Sequence, residues 1–243
     1  MGAPHHRHAA WSLLPSSGAA VLFALLIGIT SAAPGRLRAD PLFAAPFISF
    51  DVGGNPHSVA IGDLNNDGKP DLVVANYSSS TVSVLLDNGD GTFGAKIDYS
   101  TGSQPYSVAI GDLNGDGKPD LVVANNHSNT VSVLLGIGNG TFGAETDYGT
   151  GSYPVDVAIG DLNGDGKPDL VVANEYAGTV SVLLGNGNGA FGAKTDYGTG
   201  SQPYSVAIGD LNGDGKPDLV VANTDSWSVA VLLGNGDGTF AIA

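Results

Sequence analysis

The sequence predicts an all-β protein, a β-propeller built from four repeats that are each a four-stranded antiparallel blade. Two observations support this prediction. The ten-residue acidic segment that begins at Asp63 returns at Asp112, Asp161 and Asp210, at a constant interval of 49 residues. Each interval holds four short segments rich in Val, Ile, Leu or Thr and bounded by Gly, Asn or Pro, which is typical of β-strands. Repeats of about 40 to 50 residues with four strands each indicate propeller blades.

The second repeat illustrates the predicted order of strands. Residues 107–111 form the first strand, and the acidic segment connects it to a second strand at 120–124. A third strand follows at 130–135, and a fourth at 141–148 after a glycine-rich turn. No segment beyond the N-terminal region has helical periodicity. Continuous apolar runs such as 121–124 fit a sheet that is covered on both faces by neighbouring blades.

The number of strands predicts how the ring closes. The first three strands occur four times, and residues 43–50 resemble an additional fourth strand placed before the first repeat. If this strand pairs with residues 228–233 of the last blade, it closes a four-bladed ring and removes exposed sheet edges. An eight-bladed dimer, an open arc and a truncated larger propeller are alternatives. A calcium-binding parallel β-helix fits less well, because its repeats are much shorter. The protein is therefore expected to be a monomer or a homodimer.

Each acidic segment has the pattern of a calcium loop. Oxygen-bearing side chains occupy positions 1, 3, 5 and 9, and a glycine at position 6 allows a sharp turn. Calcium takes roughly six to eight oxygen ligands, and the carbonyl of the lysine at position 7 can add one more. The loop differs from an EF-hand, which needs Glu at position 12, where the first copy has Val74. One copy alone could be a tight turn. Four intact copies predict about four Ca²⁺ per chain, with the ligands Asp63, Asn65, Asp67, Lys69, Asp71, Asp112, Asn114, Asp116, Lys118, Asp120, Asp161, Asn163, Asp165, Lys167, Asp169, Asp210, Asn212, Asp214, Lys216 and Asp218.

The composition agrees with this prediction and excludes one class of partner. The chain has 24 acidic and 9 basic residues, a formal net charge of −15 and no cysteine. Because each loop contributes three Asp, the acidity is mainly a property of the calcium sites. A nucleic-acid partner is not expected, since phosphates are bound by Lys and Arg. No disulfide can stabilise the fold.

The N-terminus resembles an export signal. Residues 1–33 combine a weakly basic start, an apolar core at 19–29 and small residues at 31–33, with a later cleavage option at Ala39. Residues 34–40 are a linker, and residues 41–243 hold the repeats. The protein is therefore expected to be secreted, extracellular or at the cell surface. It would be attached to a membrane only if the segment stays uncleaved, since a span needs about 20 apolar residues.

These residues resemble the FG-GAP repeat, the integrin α-type calcium-binding propeller repeat that is also called the VCBS type. Phe93-Gly94, Phe142-Gly143 and Phe191-Gly192 match its FG element, and the resemblance extends over about 43–240. One departure is Val74-Ala75-Asn76, where the family has Gly-Ala-Pro. The resemblance implies an extracellular, calcium-stabilised propeller for adhesion or ligand binding. It does not imply catalysis, although lectins and domains appended to polysaccharide enzymes resemble it too.

Two loops differ most among the four repeats, and both are predicted on the face opposite the calcium loops. They connect strand two to strand three, and strand four to the next first strand. Aromatic rings beside amides and acids suit a glycan or protein ligand, although tyrosines packed between blades would give the same pattern. The candidate ligand-binding residues are His57, Tyr77, Tyr106, His127, Tyr153, Tyr176, Tyr204 and Trp227.

No catalytic constellation is recognisable in the repeats. They contain two histidines and no Gly-x-Ser-x-Gly motif, and Glu175 and Asp225 are the only acids in the loops between strands two and three. The sequence predicts a non-catalytic, secreted or cell-surface calcium-binding propeller module for adhesion or ligand binding. A lectin and a purely structural extracellular component are the alternatives.

Overall fold

The computed structural model describes residues 48–242. The expected signal peptide, the linker and most of the segment 43–50 lie outside the described residues. Every regular element between residues 48 and 242 is a strand, and this part of the chain has no helix that could cross a bilayer. The all-β prediction is confirmed.

The strands follow the 49-residue repeat, four to a blade. The first blade contains β1 (Pro56–Gly62), β2 (Asp71–Asn76), β3 (Thr81–Leu85) and β4 (Ile97–Ser100), and the second contains β5 (Pro105–Gly111), β6 (Asp120–Asn125), β7 (Thr130–Leu134) and β8 (Thr146–Gly149). The third contains β9 (Pro154–Gly160), β10 (Asp169–Asn174), β11 (Thr179–Leu183) and β12 (Thr195–Gly198), and the fourth contains β13 (Pro203–Gly209), β14 (Asp218–Asn223), β15 (Ser228–Gly234) and β16 (Phe240–Ile242).

Each blade is a separate sheet whose strand order follows the chain, and all neighbouring strands are antiparallel. The register repeats from blade to blade, since Val59 faces Val74 as Val108 faces Val123. The predicted four-stranded antiparallel blades are confirmed.

Three apolar cores lie between successive blades, and all have the same construction. We call the side of each sheet that corresponds to Val59 and Ile61 in the first blade the leading face, and its opposite side the trailing face. Between the second and third blades, Val122 and Val131 of one trailing face pack against Leu170 of the next leading face, and all are 0% exposed. Burying one such side chain fully contributes about 1.5 to 3 kcal/mol. Blade stacking is therefore the main source of stability for the array.

An aromatic contact repeats at the outer edge of each junction. Tyr99 of the first blade meets Phe142 of the second edge to face, with ring centroids 5.5 Å apart, and the later junctions repeat this contact. Phe50, which lies 49 residues before Tyr99, makes the corresponding contact with Phe93 at 5.1 Å. The position of Phe50 is that of a fourth-strand tyrosine, although residues 48–50 form no strand.

Ring closure is not detected among residues 48–242. On the leading face of the first blade, Val59 is 60% exposed, whereas its counterpart Val108 is 7% exposed. On the trailing face of the fourth blade, Leu211 is 54% exposed, whereas Leu113 is 1% exposed. Among the described residues, the first and fourth blades each have one uncovered face, and closure by residues 43–50 stays a prediction.

Candidate functional site

All twenty predicted metal ligands lie in the four loops that connect the first and second strands, or at the first residue of the second strand. In the second blade, the side-chain oxygens of Asp112 and Asn114 both accept a hydrogen bond from the amide of Asp116, at 3.2 and 2.9 Å. The other oxygen of Asp112 accepts one from Gly117, at 2.8 Å. Gly117 has φ +76°, a left-handed conformation that glycine adopts at no steric cost. Positions 1 and 3 of the loop therefore converge on the same turn.

The aspartate at position 9 is fully buried and fixes the loop by accepting backbone hydrogen bonds. Asp120 accepts hydrogen bonds from the amides of Leu113 at 2.9 Å and Gly136 at 2.7 Å, so it connects the acidic loop to the turn after the third strand. Burial raises the pKa of Asp120, and the nearby charges of Asp116 and Asp112 add to this effect against the two hydrogen bonds. The same pair of amide contacts recurs at Asp71, Asp169 and Asp218.

The aspartate at position 5 is exposed and pairs with the lysine at position 7. Nζ of Lys167 lies 3.1 Å from a carboxylate oxygen of Asp165. Hydrogen bonds from the backbone and side chain of Lys167 hold the pKa of Asp165 below its ordinary value. This carboxylate is therefore ionised at neutral pH.

The oxygen groups of each loop suit a hard cation in kind, although four side chains and one carbonyl fall short of the roughly six to eight ligands that calcium takes. Positions 1, 3 and 5 present exposed oxygens around one glycine turn, and a carboxylate that accepts two amide bonds at position 9 still has free lone pairs. Within residues 48–242, no three Asp, Glu or His side chains already stand in the arrangement of a metal site. The loops are folded around their own amides, and calcium binding stays a prediction.

The predicted ligand-binding residues fall into two groups of contacting rings. In the first group, His57 stacks on Tyr77 with centroids 4.6 Å apart and meets Tyr106 at the same distance. The hydroxyl of Tyr106 is hydrogen-bonded to that of Tyr204. Tyr106 also packs against the core between the third and fourth blades. Burial raises the pKa of Tyr106, and the hydrogen bond with Tyr204 adds to this effect. This group resembles the packing of tyrosines between blades.

The second group is open to solvent. His127 approaches Tyr153 with ring centroids 6.5 Å apart, and Tyr153 lies 5.6 Å from Tyr176. Tyr153 is 41% and Tyr176 81% exposed. Trp227 is 93% exposed and contacts no other aromatic ring of the described chain. Tyr176 of the second group lines a large cleft.

This cleft of about 770 Å³ lies between the loop 175–178 of the third blade and the segment 198–202 that leads into the fourth. A smaller cleft of about 490 Å³ shares Glu175, Tyr176 and Gln202 with it and is also lined by Tyr153. Glu175 and Gln202 were not among the predicted ligand-binding residues. Their positions in the two variable loops, next to Tyr176 and Pro203, were the only sequence signal for them.

Tyr153 is held beside the smaller cleft by an unusual backbone conformation. Its φ is +57°, and the corresponding positions in the other repeats carry the amides Asn55, Gln104 and Gln202. Left-handed φ is tolerated by Asn but is rare for bulky residues. The amide of Tyr153 donates to Oδ1 of Asn129 at 2.9 Å, which fixes this turn. Strained residues of this kind are concentrated at ligand sites.

Comparison with known proteins agrees with the repeat and its loops. The FG-GAP-like repeat matches residues 63–123, 112–172, 161–221 and 210–243. The chain belongs to the FG-GAP-like repeat family. Each of the first three matches spans two successive acidic loops, so these loops define the repeat in this FG-GAP-like protein. No curated protein matches the sequence.

Solved structures similar to this FG-GAP-like chain include propeller-like proteins of different functions. An Agrocybe aegerita lectin, described as recognising non-reducing terminal N-acetylglucosamine, is 25% identical with a TM-score of 0.54, over 74% of this chain and 49% of the lectin. A Lactobacillus plantarum protein is 20% identical with a TM-score of 0.56, over 77% and 56%. A Bacteroides fragilis protein provisionally assigned as a 6-phosphogluconolactonase is 19% identical with a TM-score of 0.54, over 75% and 55%. The chain spans about half the length of each.

Proposed function

We propose that this protein is a secreted or cell-surface, non-catalytic propeller module that binds calcium in its four acidic loops and holds a glycan in the cleft between its third and fourth blades. The observation that carries the proposal is the pair of adjoining clefts, whose shared residues Tyr176, Glu175 and Gln202 bring an exposed ring beside a carboxylate and an amide, with Tyr153 at the smaller cleft. Adhesion to a glycan-bearing surface is the corresponding biological role.

The chemistry of the cleft suits a sugar. The apolar face of a pyranose can pack on an aromatic ring such as Tyr176. The Glu175 carboxylate can accept hydrogen bonds from its hydroxyl groups, and the Gln202 amide can both accept and donate them. A volume of about 770 Å³ lies in the usual range for small-molecule sites. The similarity to a lectin that recognises N-acetylglucosamine supports a glycan over a peptide.

Calcium has a structural role in this proposal. In the second blade, Asp112, Asn114, Asp116 and Asp120 would supply side-chain oxygens, and Lys118 its carbonyl. The bound ion would neutralise most of the loop's negative charge. Because the calcium loops and the cleft are at opposite ends of the strands, the ion would stabilise the blades without touching the ligand.

The absence of catalysis is proposed from the acids near the cleft. Of the described residues that line it, only Glu175 is acidic. Glycoside hydrolysis usually needs two carboxyl groups about 5 to 10 Å apart. A single carboxylate can position a hydroxyl group without cleaving the glycosidic bond.

A glycan array followed by calorimetry in saturating calcium tests the function. We expect binding to a defined group of glycans, and Tyr176→Ala should weaken it by at least about tenfold, as for a buried aromatic anchor. Trp227→Ala is the matched control, because Trp227 is more exposed and lies outside the cleft. If no glycan binds, or if both variants lose binding equally, the proposed site is wrong. N-terminal sequencing of the protein exported by an expressing host tests the localisation, with cleavage expected after residue 33 or 39.

A further inference from the structure

Each of the three blade junctions contains a glycine that receives an isoleucine of the next blade. A Cβ atom added to Gly62 would lie 3.1 Å from Cδ1 of Ile110, and the pairs Gly111 with Ile159 and Gly160 with Ile208 would be separated by 3.0 Å. A side chain at the glycine would crowd the isoleucine, so the glycine favours this close approach. The trailing face of one blade is therefore shaped to fit the leading face of the next.

Each junction has a second contact, in which the glycine belongs to the following blade and the leucine that packs on it belongs to the preceding blade. Gly140 of the second blade receives Leu86 of the first, whose Cδ2 would lie 2.7 Å from an added Cβ atom. Gly189 with Leu135 and Gly238 with Leu184 repeat this contact. Each junction thus has two complementary contacts, one glycine on each side.

The two ends of the array carry the unmatched halves of one further junction. On the trailing face of the fourth blade, a Cβ atom added to Gly209 would meet no described residue within 4 Å, and on the leading face of the first blade the same holds for Gly91. Their missing partners are Ile61, which is 68% exposed on the first blade, and Leu233 of the fourth. Val59 of the first blade and Leu211 of the fourth also lack the contacts that bury their counterparts in the internal junctions.

The sheet edges are complementary in the same way. β15 pairs with β16 only from Leu232 onwards, so Ser228–Val231 has no outer neighbour among the described strands. Residues 49–51 occupy the repeat position of 98–100, which pair with the third strand of the first blade. A strand placed along this edge would add backbone hydrogen bonds to the junction.

We infer that a second copy of this chain covers these faces head to tail, with Ile61 of one copy against Gly209 of the other and Leu233 against Gly91. The repeat supplies the fit, because the two end faces are copies of surfaces that already pack together three times within the chain. Both faces are exposed among the described residues of one copy, so a second copy can reach them. Two such junctions related by a two-fold axis close a ring of eight blades.

Single charge substitutions on either face test this inference in the full-length protein with calcium present. Ile61→Asp and Leu211→Asp should each convert the dimer to a monomer, raising its dissociation constant by at least about tenfold, measured by analytical ultracentrifugation. Both side chains are already exposed in one copy, so each variant should keep the circular dichroism spectrum and thermal melt of a folded monomer. Ile137→Asp is the matched control, because Ile137 is 58% exposed but lies away from both faces.

An equimolar mixture of the two variants separates a head-to-tail junction from other kinds of association. In the mixture, the intact trailing face of Ile61→Asp meets the intact leading face of Leu211→Asp, so dimers should return through one junction. A two-fold contact between identical faces would be disrupted by only one of the variants, and association through residues outside 48–242 would survive all three substitutions. Either result would overturn the inference, as would a wild-type protein that stays monomeric at all concentrations.

Discussion

The carboxylate of Asp120 accepts a hydrogen bond from the amide of Leu113, whose side chain is 1% exposed in the core between the second and third blades. One residue of the acidic loop thus holds the backbone of another that belongs to the apolar core. The other oxygen of Asp120 binds the amide of Gly136. The conformation of the acidic loop and the packing of neighbouring blades are therefore coupled through a single buried side chain.

Asp120→Ala should destabilise the protein, because the buried amides of Leu113 and Gly136 both lose their acceptor. Each buried donor left without its acceptor costs about 1 to 3 kcal/mol. Removing the carboxylate also relieves a buried charge whose pKa is raised, and this offsets part of the loss. Denaturant unfolding should be measured in excess chelator, so that a lost metal ligand does not contribute. Asp116→Ala is the control, because this exposed side chain should change the midpoint much less. Equal midpoints for wild type and Asp120→Ala would contradict the role of Asp120 in fixing the loop.

Calcium titration should reveal about four ions per chain, one for each acidic loop, with dissociation constants of about 0.1 to 1 mM, as in other extracellular calcium modules. Because the ion would bind only the folded loops, it should stabilise the fold by about 2.7 kcal/mol for one site at 100 times its dissociation constant. Chelation should therefore lower the melting temperature clearly. A melt that is identical in calcium and in chelator, or a stoichiometry of one, would show that the loops are only tight turns.

The stability of the first blade should depend on the ionisation of Asp98. Partial burial raises the pKa of this carboxyl, but the hydrogen bonds from Lys96 and Ser83 outweigh it and hold the pKa below its ordinary value of 3.8. Because the folded state has the lower pKa, Asp98 contributes stability above the unfolded pKa and loses it as the pH falls through the folded pKa. Melting temperatures of wild type and Asp98→Asn should therefore differ at pH 7 and converge below pH 3.8. A difference that does not change with pH would contradict this assignment.

The blades were predictable because every constraint repeats. Four copies of the same apolar segments gave the strand order, and the second strand was placed within one residue of Asp120–Asn125. The prediction of the fourth strand was less accurate. It was predicted at 141–148, but Phe142 forms only an isolated bridge with Gly136 and the ladder resumes at Thr146. Between these two pairs, residues 134–135 oppose residues 143–145, so one extra residue bulges out of the sheet. The apolar pattern of the sequence does not reveal such a bulge.

The site was predictable only in part, because its residues are brought together by blade packing and not by the repeat. Glu175 and Gln202 belong to different loops, and the cleft between them depends on how the third blade sits on the fourth. Asp156 is a similar case, since it replaces the serine of the other repeats. Its carboxylate accepts hydrogen bonds from Ser107 and Ser205, at 3.2 and 2.9 Å, and so connects three blades. A single departure from the repeat signals such a residue but does not identify its contacts.

Tyr153 provides a test in which stability and ligand binding should move in opposite directions. Its left-handed backbone suits the asparagine that stands at this position in the first repeat, and its ring lines the cleft. Tyr153→Asn should therefore relieve strain of about 1 kcal/mol and raise the melting temperature slightly. The same variant should weaken glycan binding by at least about tenfold, because it removes one of the two rings in the cleft. Gln104→Asn makes the corresponding exchange in the second repeat, so it should raise the melting temperature in the same way but leave glycan binding unchanged. If Tyr153→Asn instead lowers the melting temperature and leaves binding intact, Tyr153 is a packing residue and the ligand site must lie elsewhere on this face.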